Sequence, residues 1–340
     1  MPQPPTKTDK DLATGQGAHS PVLFSYALTG PLAGQKLDGG AVDQVLEEAA
    51  LGWVHLSADH AHAEAWITGH MPYLDDTIPQ ALTQASTRSR ASRIGQGVLA
   101  VLRGVNLNEG RDPEDMVAIR IWAEAERIVT LSRQRVRALE DIAADIARGE
   151  GPQSTGEFLV ILAERLNARL EPMIADLDSE TDALETQVIG EPDQDLRQRI
   201  VAMRLQVIEL RRHAAPQREA LQRLEGDDIA LLDENDRRHM REAREKLVRL
   251  VENLDEMKDS LAVLREEMSG QISDRLNRHM YILSILSAIF LPLGFLTGLL
   301  GINVGGMPGA ENPQAFWIVC GGLSVVVLIQ IWILRRARWL

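Results

Sequence analysis

The sequence predicts an α+β membrane protein built from an α/β domain, long stalk helices and two C-terminal transmembrane helices. Three observations carry this prediction. Two uncharged stretches near the C-terminus are each long enough to cross a bilayer. A heptad of apolar residues leads into the first of them. Short apolar runs alternate with helical patterns only ahead of Gly151-Pro152.

The elements follow in chain order. Residues 1–20 are rich in Pro, Thr, Gly and Asp and lack an apolar run, so a disordered tail is expected there and not a signal peptide. Whatever precedes the membrane segments is then expected to stay in the cytosol. Residues 21–152 read as the cytoplasmic α/β domain. Apolar runs at Val22–Leu28, Gly52–Leu56, Val98–Val105, Val117–Trp122 and Ile128–Leu131 predict strands. Helices are expected near Gly40–Leu51, Ala61–Gly69 and Arg135–Arg148. Residues 153–280 read as a helical cytoplasmic stalk, punctuated at Gly190-Glu191-Pro192 and at Gly226. Leu247, Leu250, Leu254, Met257, Leu261, Leu264 and Met268 keep a heptad spacing, the mark of a helix packed along neighbours. A helix unbroken from Asp227 to Leu300 would measure about 110 Å at 1.5 Å per residue, and one so long is stable only when packed.

Residues 281–303 form the first predicted transmembrane helix. Tyr281–Leu300 is free of charge and spans about 30 Å as a helix, the thickness of the hydrocarbon core. Residues 304–315 form a loop, and 316–335 the second predicted transmembrane helix, uncharged over Phe316–Leu334. Arg275, Arg278 and His279 precede the first helix; Arg335, Arg336 and Arg338 follow the second. The only charge from Gly301 to Ala315 is Glu311. By the positive-inside rule both termini face the cytoplasm and the loop faces out. Trp317, Trp332 and Trp339 suit the interfacial belts.

Composition narrows the function. A net charge of -13, from 36 basic and 49 acidic residues, is ill-suited to nucleic acid, whose phosphates need clustered Lys and Arg. An acidic surface does attract cations. A single cysteine, Cys320, rules out an intrachain disulfide and a cysteine-rich zinc site. No Gly-rich phosphate loop, nucleophile elbow or paired-carboxylate motif is present, so no enzyme activity is expected.

Two helices cannot enclose a water-filled path, so a transporter of this design has to assemble. On the first membrane helix, steps of three and four give Asn277, Met280, Ser284, Ser287, Leu291, Gly294, Gly298 and Gly301, a stripe small or polar at most positions. Such a stripe serves close helix association or the wall of a narrow pore. The opposite side carries Ile282, Ile285, Ile289, Leu293, Leu296 and Leu300, suited to lipid or to the second helix. Pro292 removes one backbone hydrogen bond and can bend the helix.

The first membrane helix ends in Gly301-Ile302-Asn303, followed by Val304-Gly305-Gly306-Met307-Pro308-Gly309. A Gly-x-Asn at this place resembles the CorA superfamily of divalent-cation transporters. That family usually carries Gly-Met-Asn after an aromatic residue; here Leu300 and Ile302 stand in those positions. The loop sequence and the terminal Arg338-Trp339-Leu340 are similar to the zinc-associated ZntB branch. Val117–Trp122 with Ile128–Leu131 is similar to paired strands of the family's cytoplasmic domain. Phe290, Leu291, Pro292, Leu293 and Gly298 sit where the family's Phe-x-Pro-x and later Gly fall.

The resemblance implies a homopentamer in the bacterial inner membrane, with a cytoplasmic funnel and a central pore lined by the first membrane helix. Gly301, Ile302 and Asn303 would then form its entrance. A ring of Asn303 amides could hydrogen-bond the water shell of a hydrated divalent cation, so the ion need not dehydrate on entry; magnesium sheds water reluctantly. Zinc that has shed water prefers Cys and His, and none lies between Tyr281 and Asn303. Glu311 on each subunit could concentrate cations at the mouth. The expected cargo is Zn2+, or Mg2+, Co2+, Ni2+ or Cd2+, with no permanently bound cofactor. Alternatives are a magnesium, cobalt or nickel channel of the CorA type, and a membrane-anchored coiled-coil scaffold or sensor.

Other candidates rank lower. His55, Asp59, His60, His62 and Glu64 look like a metal cluster, but a strand followed by a helix need not converge their side chains. His279 lies one residue off the stripe, where it reads as a snorkelling interfacial histidine or a zinc or proton ligand. Glu252, Asp255, Glu256, Asp259, Glu266 and Glu267 form an acidic run that reads as a solvated face or a cytoplasmic cation sink. Proton coupling, associated with relatives of the ZntB type, has no carrier in the membrane segments, which lack Asp, Glu, Lys, Arg and His. Glu311, His279 or the cytoplasmic domain would have to supply it.

Overall fold

A computed structural model describes residues 20–37, 50–85, 88–188, 194–302 and 312–336. The chain divides into two compact units, the first running to Leu264 and the second starting at Arg265. The helix expected over 40–51 falls, apart from Ala50 and Leu51, outside the described residues, as does the Gly190-Glu191-Pro192 break.

The first unit opens with a six-stranded sheet. Its strands are β1 (Val22–Ala27), β2 (Gly52–Ser57), β3 (Arg90–Ile94), β4 (Gly97–Gly104), β5 (Val117–Ala123) and β6 (Arg127–Ser132), in the order β1-β2-β6-β5-β4-β3. All neighbours are antiparallel except β2 and β6, which pair in parallel from Gly52↔Arg127 to Ser57↔Ser132. Helices α1 (Ala63–His70) and α2 (Thr77–Thr83) cover one face. There Val54, Leu56, Leu99, Trp122, Val129 and Leu131 pack against Ile67, Met71, Ile78 and Leu82. Period-two alternation puts Trp53, His55 and Thr130 on the other face, where the Trp53 ring meets Phe158 of the next long helix edge-on at 5.0 Å.

Four further helices follow: α3 (Arg137–Ala147), α4 (Thr155–Val188), α5 (Gln194–Leu224) and α6, which runs without a break from Glu234 to Leu300. The start of α6 lies beyond the Asp227 expected from the absence of Pro and Gly. Asp233 and Asp236 set it by reciprocal capping, Asp236 N–H donating to Asp233 Oδ1 (2.7 Å) and Asp233 N–H to Asp236 Oδ2 (3.2 Å). The predicted heptad is buried: Leu247, Leu254 and Leu261 are inaccessible to solvent, and Leu250, Met257, Leu264 and Met268 nearly so. Polar links hold α6 to its neighbours within this unit. Asn167 Nδ2 on α4 donates to the Ala243 carbonyl (2.7 Å), Lys246 pairs with Glu171, and Arg211 on α5 pairs with Asp255.

The second unit holds the C-terminal part of α6 and helix α7 (Ala315–Arg336). Both contain a window long and apolar enough to cross a membrane. Large apolar side chains stay uncovered within the single chain, among them Phe290, Leu291, Phe295, Phe316 and Trp317. An apolar surface of this extent needs lipid or further subunits around it.

Candidate functional site

The apolar part of α6 has two unlike faces. Asn277, Met280, Ser284, Ser287, Leu291, Gly294 and Gly298 are all exposed, Leu291 at 73%. On the opposite side Ile285, Ile289, Leu293 and Leu296 are half-buried, as is Pro292, while Ile282 and Leu300 are exposed. Helix α7 shows a matching half-buried stripe at Val319, Leu323, Val326 and Gln330, ending at buried Leu334. In this unit, among the described residues, α7 is the element available to cover the Ile–Leu face of α6. One polar contact links them: Gln330 Nε2 approaches the Ala288 carbonyl oxygen at 3.5 Å. The small-residue stripe is therefore among the positions that the chain's own fold leaves open, together with bulky Leu283, Leu286, Phe290, Phe295 and Leu299.

At the far end of α6, Gly301 N–H donates to the Thr297 carbonyl at 3.0 Å, extending the helical bonding past Leu300. Thr297 Oγ1 donates back to the Leu293 carbonyl at 2.9 Å, so its hydroxyl is absorbed by its own helix. Gly301 and Ile302 are exposed. Asn303 and Glu311 lie outside the described residues, as do Arg338 and Trp339. His279 is an exposed position of α6.

The histidine-rich segment does not converge. His55 is buried in β2, its Nδ1 2.9 Å from Thr130 Oγ1 and its Nε2 3.3 Å from Ser132 Oγ. His60 and His62 sit outside the sheet with their rings 5.4 Å apart, and Asp59 is paired with Arg133. Among the described residues no group of three His, Cys, Asp or Glu side chains could hold a metal ion. Part of the acidic run has structural partners. Hydrogen bonds from Arg211 and then Lys258 hold the Asp255 carboxyl below its usual range, and Lys258 also reaches Asp259 at 3.1 Å. Glu252, Glu256, Glu266 and Glu267 face solvent.

The fold and this pair of membrane-length helices define a class, and comparison with known proteins names it. Residues 48–336 match the family model described as CorA-like Mg2+ transporter protein, and the chain belongs to that family. It is 35% identical over 326 residues to the divalent cation transporter CmaX of Pseudomonas aeruginosa, covering 94% of this chain and 97% of that one. It is 33% identical over 336 residues to the zinc transport protein ZntB of Yersinia enterocolitica, covering 97% and 100%. The solved structure of full-length CmaX superposes with a TM-score of 0.79 at 33% identity, covering 96% of this chain and all of the other.

One residue escaped the sequence reading. Gln330 stands out in α7 as an amide among aliphatic residues, yet its partner is 42 positions away and belongs to another helix. The available signal was the pairing of one polar side chain with one proline across two membrane segments.

Proposed function

We propose that the protein carries zinc, among divalent cations, across a bacterial inner membrane through a pore at the centre of a homopentamer, without ATP. The observation that carries this is the open stripe on α6. Seven positions, small or polar at most of them, are left uncovered on a membrane-length helix, as are Leu283, Leu286, Phe290, Phe295 and Leu299, while Ile285, Ile289, Leu293 and Leu296 are half-buried. Packed around an axis, five such stripes would wall a narrow aqueous path. Asn277, Met280, Ser284, Ser287, Leu291, Gly294 and Gly298 would line it, with Gly301, Ile302 and Asn303 at its entrance.

A ring of Asn303 amides offers hydrogen bonds and no fixed charge, which suits an ion that enters with its water shell. Glu311 would raise the cation concentration at the mouth by focusing. Both termini would face the cytoplasm, since the arginines flank the spans on that side. Zinc as cargo is favoured by the names of the ZntB relatives; the family's description favours magnesium as the second reading.

The test is cation flux into liposomes holding the purified protein, followed with zinc-, magnesium- and proton-sensitive dyes. Zinc entry lost in Asn303→Ala, with assembly intact, is the expected result. A pH change alongside it would reveal proton coupling. Magnesium entry alone would move the protein to the second reading, and no flux of any cation from assembled protein would refute transport.

A further inference from the structure

We propose that Gln330 is a positioning residue: its amide satisfies the backbone carbonyl that Pro292 leaves open, and so pins α7 to the proline turn of α6. Its consequence for transport rests on the pore reading above; the contact itself does not.

In an α-helix the N–H of residue 292 would bond the carbonyl of residue 288. Proline has no N–H, so the Ala288 carbonyl loses its partner within α6. In water that group would be hydrated, but in hydrocarbon it has to be met by protein. The atom that meets it is Gln330 Nε2, at 3.5 Å from the Ala288 oxygen. Only the nitrogen end of the amide can serve, because the opposite flip would set oxygen against oxygen. Gln330 Oε1 is buried and has no partner among the described residues. The side chain is thus held at this depth by its donor, which uses one N–H on one carbonyl.

Two placements strengthen the case. Gln330 lies within the half-buried stripe of α7, flanked one turn away by Val326 and Leu334. Pro292 lies on the half-buried face of α6, next to Leu291 on the open stripe. The same turn therefore carries the missing hydrogen bond, the contact that replaces it and a side chain of the proposed pore wall. A shift of α7 along α6 would strip the carbonyl of its donor, so the two helices are keyed to one relative position at this level.

A double-mutant cycle tests this. Wild type, Gln330→Leu, Pro292→Ala and the double variant are unfolded reversibly with SDS in mixed micelles and followed by far-UV circular dichroism. Gln330→Leu should raise the unfolding constant about threefold in the proline background, the average for a hydrogen bond inside a membrane protein. In the Pro292→Ala background, where residue 292 regains its own N–H, the same change should do nothing. Equal effects in both backgrounds, or none with proline present, would overturn the proposal. Should Pro292→Ala fail to fold, Gln330→Glu decides. Its carboxyl donates only when protonated, so acid should tighten it relative to Gln330→Leu, and no such difference would equally overturn the proposal. Flux through the same proteins is scored separately: a cycle that behaves as expected without flux in any variant sinks the transport reading and leaves the contact standing.

Discussion

Replacing His55 with Gln should remove about 2 kcal/mol of acid sensitivity from the first unit. His55 is 3% exposed, and desolvation by burial, only partly opposed by its Thr130 hydrogen bond and by Glu140, pushes its pKa down to about 4 from 6.5. Its neighbours suit the neutral ring. Trp53 Nε1–H donates to Thr130 Oγ1 (2.8 Å), the Thr130 hydroxyl can donate to His55 Nδ1, His55 Nε2–H to Ser132 Oγ, and Ser132 to the Gln134 carbonyl (2.6 Å). Each hydrogen is used once in that arrangement. A second proton on His55 would turn the Thr130 hydroxyl away from Nδ1 and toward the Val54 carbonyl, 3.5 Å off. The folded pKa is depressed, so between about pH 6.5 and 4 the unfolded chain binds a proton that the folded chain does not. Stability is therefore complete above pH 6.5 and falls as the pH drops, by about 2 kcal/mol between pH 7.5 and pH 5. The assay is urea unfolding of the detergent-solubilised protein, read through tryptophan fluorescence, at both pH values. Other groups titrate in this range, so the quantity is the difference between wild type and His55→Gln. An unchanged pH dependence in the variant would show that His55 is not held neutral by burial.

Two further predictions concern the stalk. Leu254→Ala removes a side chain with no solvent exposure from the heptad of α6 and should cost about 2–5 kcal/mol in the same urea assay. Asn167→Leu should change stability by less than about 1 kcal/mol, because Asn167 gains one bond to the Ala243 carbonyl but buries Oδ1 unpaired, and an apolar side chain of similar size avoids that penalty.

Much of this architecture was legible in the sequence because periodicity is local. Five strands and the stalk heptad came from apolar spacing alone. Strand β3, Arg90–Ile94, was missed: it is an edge strand of largely exposed RASRI, with no buried alternation to betray it. Helix α2 was missed for its seven residues and an internal Pro79. The environment of His55 could not be read at all, since Thr130 and Ser132 reach it only through the parallel pairing of β2 with β6. The same held for Gln330, whose meaning lies in a carbonyl on another helix. Asn303 and Glu311, the sharpest motif-based expectations, stand on sequence alone.

The parallel pairing of β2 with β6 also bears on how the chain is made. The sheet cannot close until Ser132 has left the ribosome, because β6 is central and every strand but β1 and β3 has a neighbour on both sides. From that moment roughly 150 residues remain before Tyr281, which at 5–20 residues per second is on the order of 7 to 30 s. The sheet therefore has time to fold before Tyr281 is made, and the two apolar helices follow it out of the ribosome. These two spans then meet the insertion machinery behind a finished domain.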